Sequence, residues 1–280
     1  MSWEEIRSFL ESWFIYPGID WYMIGIAVAV ALFFGAVWMI FYRQPRFNNG
    51  WPLGVMVFSA FFTLVTIAFI QLPLQSYIDQ GFTNTWDALT IRDWLLLAGL
   101  PIVLISGLVQ EGAKMVPMVL WWRRRKNLDP KMGLAIGAIA GFGFGVFEAF
   151  TINTYVIGSG WTPDAIVELG FLGIAPFWER FFIVGFHIAA SAMVGYGLVK
   201  GFGWQFYLIA AGAHSLVNYG TIIYQGGYLT VTQIEIYVAV VAVLTTIAAL
   251  WMRYRKEKQA TPEIPPLPPP EPVETPTAST

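Results

Sequence analysis

Several residue types are scarce or missing in this 280-residue chain, and each scarcity excludes a kind of chemistry. Cysteine is absent, which excludes a disulfide framework, a thiol nucleophile and a thiolate metal site. Histidine occurs twice, which is too few for a metal site of three histidine ligands. Any chemistry must therefore come from carboxylates, two imidazoles, lysine and amides.

Charge is scarce as well. Charged residues make up 12% of the chain, against about 25% in soluble domains. The formal net charge is −2, which leaves no basic footprint for a nucleic-acid partner. Hydrophobic residues reach 56%, and the mean hydropathy is +0.59. These values exclude a disordered protein, an ordinary soluble enzyme and a DNA- or RNA-binding protein, and they predict a protein embedded in the lipid bilayer.

Apolar runs long enough to cross a bilayer recur along the sequence. A helical crossing needs about 20 apolar residues, whereas a β-barrel strand would be about half as long. The sequence therefore predicts an all-α, multi-pass integral protein of the cell membrane with about seven transmembrane helices. The predicted spans are Trp21–Tyr42, Pro52–Ile78, Trp94–Trp122, Met132–Ile157, Phe181–Val199, Phe202–Tyr224 and Ile236–Met252.

Positive charges indicate how this bundle is oriented. Seven spans place 12 of the 16 Lys and Arg residues on one side, in the loops around Arg43, Arg124 and Lys200 and after the last span. Lys and Arg are enriched in cytoplasmic loops. The expected topology therefore has an outside N-terminus and a cytoplasmic C-terminus.

The chain divides into three predicted parts. In residues 1–18, apolar side chains between Trp3 and Phe14 recur at helical spacing, which indicates an amphipathic helix in the membrane interface or a short cap packed on the bundle. Residues 19–256 form the transmembrane bundle. Residues 257–280 contain the run PPLPPPEP and are expected to be a disordered cytoplasmic tail.

Polar residues within the predicted spans indicate function, because burying them in a membrane is costly. At 1.5 Å per residue, acids and imidazoles on four helices lie roughly 16–24 Å from the cytoplasmic ends. Each has a structural explanation when taken alone, but their common depth predicts one shared polar site. The candidate site residues are Gln110, Glu111, Lys114, Glu148, His187, His214 and Asn218.

A stripe of glycines leads to one of these acids. Gly133, Gly137, Gly141 and Gly145 follow one another at four-residue spacing, and Glu148 comes next on the same helix. Small residues at this spacing let transmembrane helices approach closely. We therefore expect Glu148 to face the bundle interior at a tight helix contact.

Two chemical roles fit the candidate site. Glu148, His187 and His214 could hold a zinc ion with one position open for water. Alternatively, a buried glutamate activates water without a metal, while imidazole and the Asn218 amide stabilise the oxyanion. Both predict hydrolysis of a carbonyl group in a membrane-embedded cavity.

Four segments of this region resemble the motifs of the PrsW family of membrane proteases, which is related to the CAAX prenyl endopeptidases. QEGAK at Gln110–Lys114 resembles EExxK, and GFGFGVFE at Gly141–Glu148 resembles a glycine-rich helix that ends in glutamate. His187 resembles the histidine of the third motif, and HSLVN at His214–Asn218 matches HxxxN. The resemblance implies a protease that cleaves a membrane-anchored, anti-sigma-factor-like protein.

Gln110 departs from the family motif, which has glutamate at that position. Because glutamine cannot act as a base, either Glu111 or Glu148 takes that role, or the chain is a catalytically silent scaffold of the same fold. A proton-coupled transporter is a further alternative, since buried acids and histidines also form proton relays.

Overall fold

The structure, a computed structural model, describes residues 3–5, 8, 16–42, 50–125 and 128–255. Every regular element within these residues is helical, and a π-helical turn, Ile67–Gln71, joins α2 to α3. The α-helices are α1 Trp21–Ile40, α2 Trp51–Thr66, α3 Leu72–Thr85, α4 Ala88–Asp93, α5 Leu95–Arg123, α6 Pro130–Gly158, α7 Asp164–Leu169, α8 Phe171–Val199, α9 Gly203–Gln225 and α10 Val231–Tyr254.

Seven of these segments are long and apolar enough to cross a membrane. They are α1, the continuous rod of α2 and α3, and the helices α5, α6, α8, α9 and α10. The predicted all-α, multi-pass architecture is confirmed. Of the predicted N-terminal helix, residues 3–5 and 8 are helical, whereas most of that segment and the whole predicted tail, 257–280, lie outside the described residues.

Side chains at two loops set where helices begin. Asp87 precedes α4 and accepts a hydrogen bond from the backbone N–H of Thr90 at 2.7 Å, which holds the pKa of its carboxyl below the usual value. Thr230 and Gln233 form a reciprocal capping box at the start of α10. These contacts satisfy backbone N–H groups that the first turn of a helix leaves without partners.

Helix α8 forms the centre of the bundle and is the most buried of the seven spans. It packs against α6, α10, α9 and α1, most extensively against α6. A Cβ on Gly137 would lie 2.1 Å from the carbonyl oxygen of Ser191, and a Cβ on Gly141 would lie 2.1 Å from that of His187. The two backbones therefore touch, as the glycine spacing predicted, and Glu148 on α6 comes beside His187 on α8.

The start of α8 differs from the sequence prediction. The fifth span was expected to begin at Phe181, whereas α8 begins at Phe171. Glu179 and Arg180, which the sequence assigned to an outer loop, therefore lie within the helix. Their charges are tolerated there because they pair, with Arg180 Nη2 2.5 Å from Glu179 Oε1.

Candidate functional site

Helix α5 carries a buried ion pair into the bundle. Lys114 Nζ lies 2.5 Å from Glu111 Oε1, and both side chains are fully buried. The two residues are three positions apart and so share one face of the helix. Since an unpaired charge in a spanning helix is costly, each group compensates the other.

His187 on α8 lies between Lys114 and Glu148. Its Nδ1 is 3.0 Å from Lys114 Nζ, and its Nε2 is 3.2 Å from Glu148 Oε2. An ammonium group donates hydrogen bonds, whereas a carboxylate accepts them. These partners assign the ring proton to Nε2 and leave the lone pair on Nδ1.

His214 on α9 forms a second carboxylate–imidazole pair. Its Nδ1 is 2.7 Å from Glu111 Oε1, so Nδ1 donates and the lone pair lies on Nε2. The ring centroids of His187 and His214 are 5.2 Å apart. Phe144 packs edge-on against His187 at 5.0 Å, and Phe186 packs edge-on against His214 at 5.7 Å. The two imidazoles therefore lie together among aromatic rings.

Glu148 on α6 is held by Arg180 as well as by His187. Arg180 Nη1 lies 3.4 Å from Glu148 Oε2, and the arginine side chain is 12% exposed. Sequence reasoning missed Arg180 because it assigned this residue to a loop. A signal was available, since seven residues separate Arg180 from His187, and two helical turns place both on one face.

A cavity of about 60 Å³ lies against these groups. Its lining includes Glu148, His187, His214 and Asn218. Asn218 Nδ2 donates to Ser106 Oγ at 2.8 Å, which fixes the amide at the cavity wall. The volume exceeds the roughly 10–15 Å³ that one water needs, so the cavity has room for water beside the carboxylate and the imidazoles.

Gln110 lies apart from this cluster. Its Nε2 donates to Gln71 Oε1 at 3.1 Å and to Ser106 Oγ at 3.2 Å, which links α5 to the π-helical turn. The structure instead brings together the other predicted site residues by direct contact or around the cavity. They are Glu111, Lys114, Glu148, His187, His214 and Asn218.

Three of these side chains could hold a metal ion. Glu111, His187 and His214 each offer one ligand atom, these atoms lie within 4.8 Å of one another, and all three residues are buried. The sequence had grouped Glu148, rather than Glu111, with the two histidines. In the structure Glu148 instead contacts Nε2 of His187, and it is not a member of this three-residue group.

The donor set fits a divalent cation. One carboxylate and two imidazoles are ligands that zinc takes in catalytic sites. Glu111 Oε2 is buried and has no hydrogen-bond partner among the described residues, so one carboxylate oxygen is left to ligate. Lys114 Nζ contacts both Glu111 and His187, which shows that this place accommodates a positive charge. A metal ion would take over contacts that the ammonium group now makes.

Comparison with known proteins adds a finding on the whole bundle. The family model described as PrsW family intramembrane metalloprotease matches residues 47–248, well over half of the chain and all of the cluster. Neither the curated proteins nor the solved structures gave a match. A match of this extent, over a seven-span helical bundle in which Glu111, His187 and His214 lie in one cluster, shows the relationship. The chain belongs to the PrsW family of intramembrane metalloproteases.

Proposed function

We propose that this protein is a zinc-dependent membrane peptidase that hydrolyses a peptide bond of a membrane-anchored protein. The observation that carries the proposal is the buried group of Glu111, His187 and His214, whose ligand atoms lie within 4.8 Å of one another. These residues would hold the metal. A zinc ion bound there would make water a better nucleophile at neutral pH and would polarise the substrate carbonyl.

Glu148 is the proton acceptor in this proposal. Its contacts with His187 and Arg180 both use Oε2, so that Oε1 is left for a water in the adjoining cavity. The water oxygen adds to the peptide carbonyl carbon, and Glu148 takes the proton that the water releases. The carbon–nitrogen bond then breaks, and Glu148 returns the proton to the departing amine.

Two further groups would stabilise the negative charge that develops on the carbonyl oxygen. Asn218 lines the cavity, and its Nδ2 uses one hydrogen to bond Ser106 Oγ, which leaves the second for the substrate. Lys114 adds a positive charge next to Glu111, the carboxylate partner of His214. Donors held in place within a water-poor site are effective because they need no rearrangement during the reaction.

The position of Gln110 favours an active enzyme over a silent scaffold. If Gln110 stood in the place of the base, its side chain would be expected to lie among Glu111, His187 and His214. Gln110 instead bonds Gln71 and Ser106, and the Glu111, His187 and His214 group is complete without it. Glu148 is a carboxylate that can take the role of base.

The substrate class follows from location and resemblance. A site within the bundle of a multi-pass protein acts on chains that are themselves anchored in the bilayer. By the family resemblance, a single-span, anti-sigma-factor-like protein in the cell membrane is the substrate class we propose.

Cleavage by reconstituted protein tests this proposal. The purified chain is placed in liposomes with a single-span anti-sigma-factor-like protein, and products are identified by mass spectrometry. Glu148→Gln should reduce cleavage at least about 100-fold, the usual range for a lost general base. His214→Ala should abolish cleavage because it removes a proposed zinc ligand. The helical circular-dichroism signal should be unchanged in both variants. Glu168→Gln, on the exposed helix α7, is the matched control and should cleave normally.

The other outcomes separate the alternatives. Full activity of either Glu148→Gln or His214→Ala would remove that residue from the mechanism and overturn the proposed site. Activity that survives a metal chelator but is lost in Glu148→Gln would indicate metal-free activation of water. A wild-type chain that cleaves nothing, yet binds the same partner before and after Glu111→Ala, would indicate a scaffold.

A further inference from the structure

Arg180 is a charged residue within α8, the most buried of the seven spans that the structure describes, and the mechanism above does not require it to touch substrate. Its side chain is 12% exposed. An arginine within a spanning helix is costly unless its charge is paired. Its presence at this place therefore calls for a physical reason.

The contacts of Arg180 supply that reason. Nη1 lies 3.4 Å from Glu148 Oε2, and Nη2 lies 2.5 Å from Glu179 Oε1. The fork of the guanidinium thus joins a carboxylate of α6 to one of α8. Lysine has a single donor group at its tip and cannot reproduce this fork.

One oxygen atom connects Arg180 to the imidazole. Glu148 Oε2 lies 3.4 Å from Arg180 Nη1 and 3.2 Å from His187 Nε2. Two donors that converge on one oxygen fix the rotation of the carboxylate as well as its position. A guanidinium that served as a counter-charge alone could have bonded either oxygen.

Packing holds the plane of the His187 ring, and the hydrogen bonds select which ring nitrogen faces which partner. A Cβ on Gly145 would lie 3.2 Å from His187 Cβ, so α6 holds the base of the side chain closely. Phe144 packs edge-on against the His187 ring, with the two ring centroids 5.0 Å apart. The bonds at Nε2 and Nδ1 then decide which nitrogen faces the Glu111 and Lys114 side of the site.

We propose that Arg180 is a positioning residue that holds Glu148 against Nε2 of His187 and thereby keeps Nδ1 facing the site. Metal-binding histidines usually donate their other N–H to a carboxylate, and loss of that partner costs about 10–100-fold in metal affinity. Here Arg180 bonds the carboxylate that accepts the hydrogen bond of His187, and so adds a third residue to this series of contacts. The inference rests on the proposed function for its link to catalysis, but its geometry can be tested without activity.

The first readout is spectroscopic and uses metal-free protein. The chain has two histidines, so ¹⁵N-histidine labelling gives two imidazoles that a His187 variant assigns. In wild type, the His187 Nε2 proton should resonate downfield and exchange slowly with water because a carboxylate accepts its hydrogen bond. In Arg180→Gln this signal should move upfield or disappear through exchange.

The second readout is zinc affinity, measured by competition with a chromophoric chelator. Arg180→Gln and Glu148→Gln should each weaken binding about 10–100-fold. The double variant should be no weaker than the worse single variant, because both changes break the same chain of contacts. Arg180→Lys should lie between wild type and Arg180→Gln. Arg92→Gln removes the same charge from an exposed side chain and is the matched control.

The outcomes are distinct. An unchanged Nε2 proton and unchanged zinc affinity in Arg180→Gln would overturn the proposal and leave Arg180 as a counter-charge. Additive losses in the double variant would also overturn it. A wild-type chain that binds no zinc would contradict the proposed function, while the proton signal would still test the role of Arg180. The double variant also removes both charges together, so a folding defect of Arg180→Gln from an unpaired Glu148 would be recognised.

Discussion

Lys114 is the residue whose position most affects how the site holds charge. Its ammonium group contacts Glu111 Oε1 at 2.5 Å and His187 Nδ1 at 3.0 Å. It therefore occupies the place that a metal ion bound to the same groups would approach. The lysine stabilises the metal-free site, and it also competes with a metal.

This dual role gives a testable expectation for Lys114→Met. Without zinc, the variant should be less stable by about 3–5 kcal/mol, because Glu111 loses its partner in a buried ion pair. Zinc should then raise the unfolding temperature more in the variant than in wild type, since the metal replaces the missing positive charge. Thermal unfolding in detergent, with and without zinc, measures both effects.

Lys131→Met at the start of α6 serves as the control and should show the wild-type response to zinc. An unchanged stability of Lys114→Met without zinc would mean that Glu111 does not depend on the lysine. The competition argument would then fail as well.

Gln110 departs from the family motif, and the structure shows which contacts its side chain makes. The family motif has glutamate at this position, and the substitution suggested a lost base. In the structure the amide nitrogen donates to both Gln71 Oε1 and Ser106 Oγ. A carboxylate could make neither of these bonds as a donor. Glutamine at this position therefore suits a link between helices.

Among the helices, the contact between α6 and α8 determines the geometry of the site. Gly141 lies directly against the backbone of His187, so that a Cβ there would come within 2.1 Å of the carbonyl oxygen. Glu148 is seven residues further along α6 and meets the same histidine through its ring. The distance between helices and the hydrogen bond are therefore coupled.

We expect Gly141→Ala to separate α6 from α8. The added methyl group meets backbone, which cannot rotate away, and overpacking of this kind costs about 1–3 kcal/mol. Cleavage should fall with stability because Glu148 moves relative to His187. Gly25→Ala in α1 is the control, since a Cβ there meets nothing within 4 Å. Equal unfolding temperatures for the two variants would contradict this account of the helix contact.

The rod formed by α2 and α3 shows how one proline alters an element. It contains 35 residues, which at 1.5 Å per residue gives about 52 Å, longer than the roughly 30 Å hydrocarbon core. Pro73 has no N–H to pair with the carbonyl of Phe69, and the π-helical turn Ile67–Gln71 lies at this point. The turn brings Gln71 to Gln110. Such turns are frequent at functional sites.

For the whole molecule, the distribution of positive charge predicts topology. Arg123–Arg125 lie at the end of α5, Lys200 follows α8, and Arg253 and Arg255 lie at the end of α10. Seven crossings put these ends on one side, which we expect to be cytoplasmic. The loops after α3 and α6 would then face outward.

The absence of cysteine makes this topology easy to measure. Single cysteines at Thr85 and Ser159 should react with a membrane-impermeant maleimide in intact cells, because both positions are exposed at helix ends that we expect to face outward. A cysteine at the exposed Phe202 should react after the cells are permeabilised. The reverse pattern would show that the bundle is inverted.

Much of this protein can be predicted from the sequence. The cost of placing a residue in hydrocarbon depends mainly on its own side chain, so a membrane span can be recognised from the sequence alone. That rule yields the seven helices and the all-α class. The same rule singles out Glu111, Glu148, His187 and His214, since charged and polar groups are rare at that depth unless they share a site. The spacing of glycines correctly predicted the contact at which Glu148 would lie.

Atomic partnerships within the site were decided by the tertiary structure. Side-chain contacts depend on how far each helix is rotated and shifted against its neighbour, and one residue along a helix turns a side chain by about 100°. Gln110 and Glu111 are adjacent, yet one faces the π-helical turn and the other faces His214. For the same reason, neither the placement of Lys114 against His187 nor the clamp of Arg180 on Glu148 could be derived from spacing alone. Composition determined the environment of these residues, and packing determined which atoms meet.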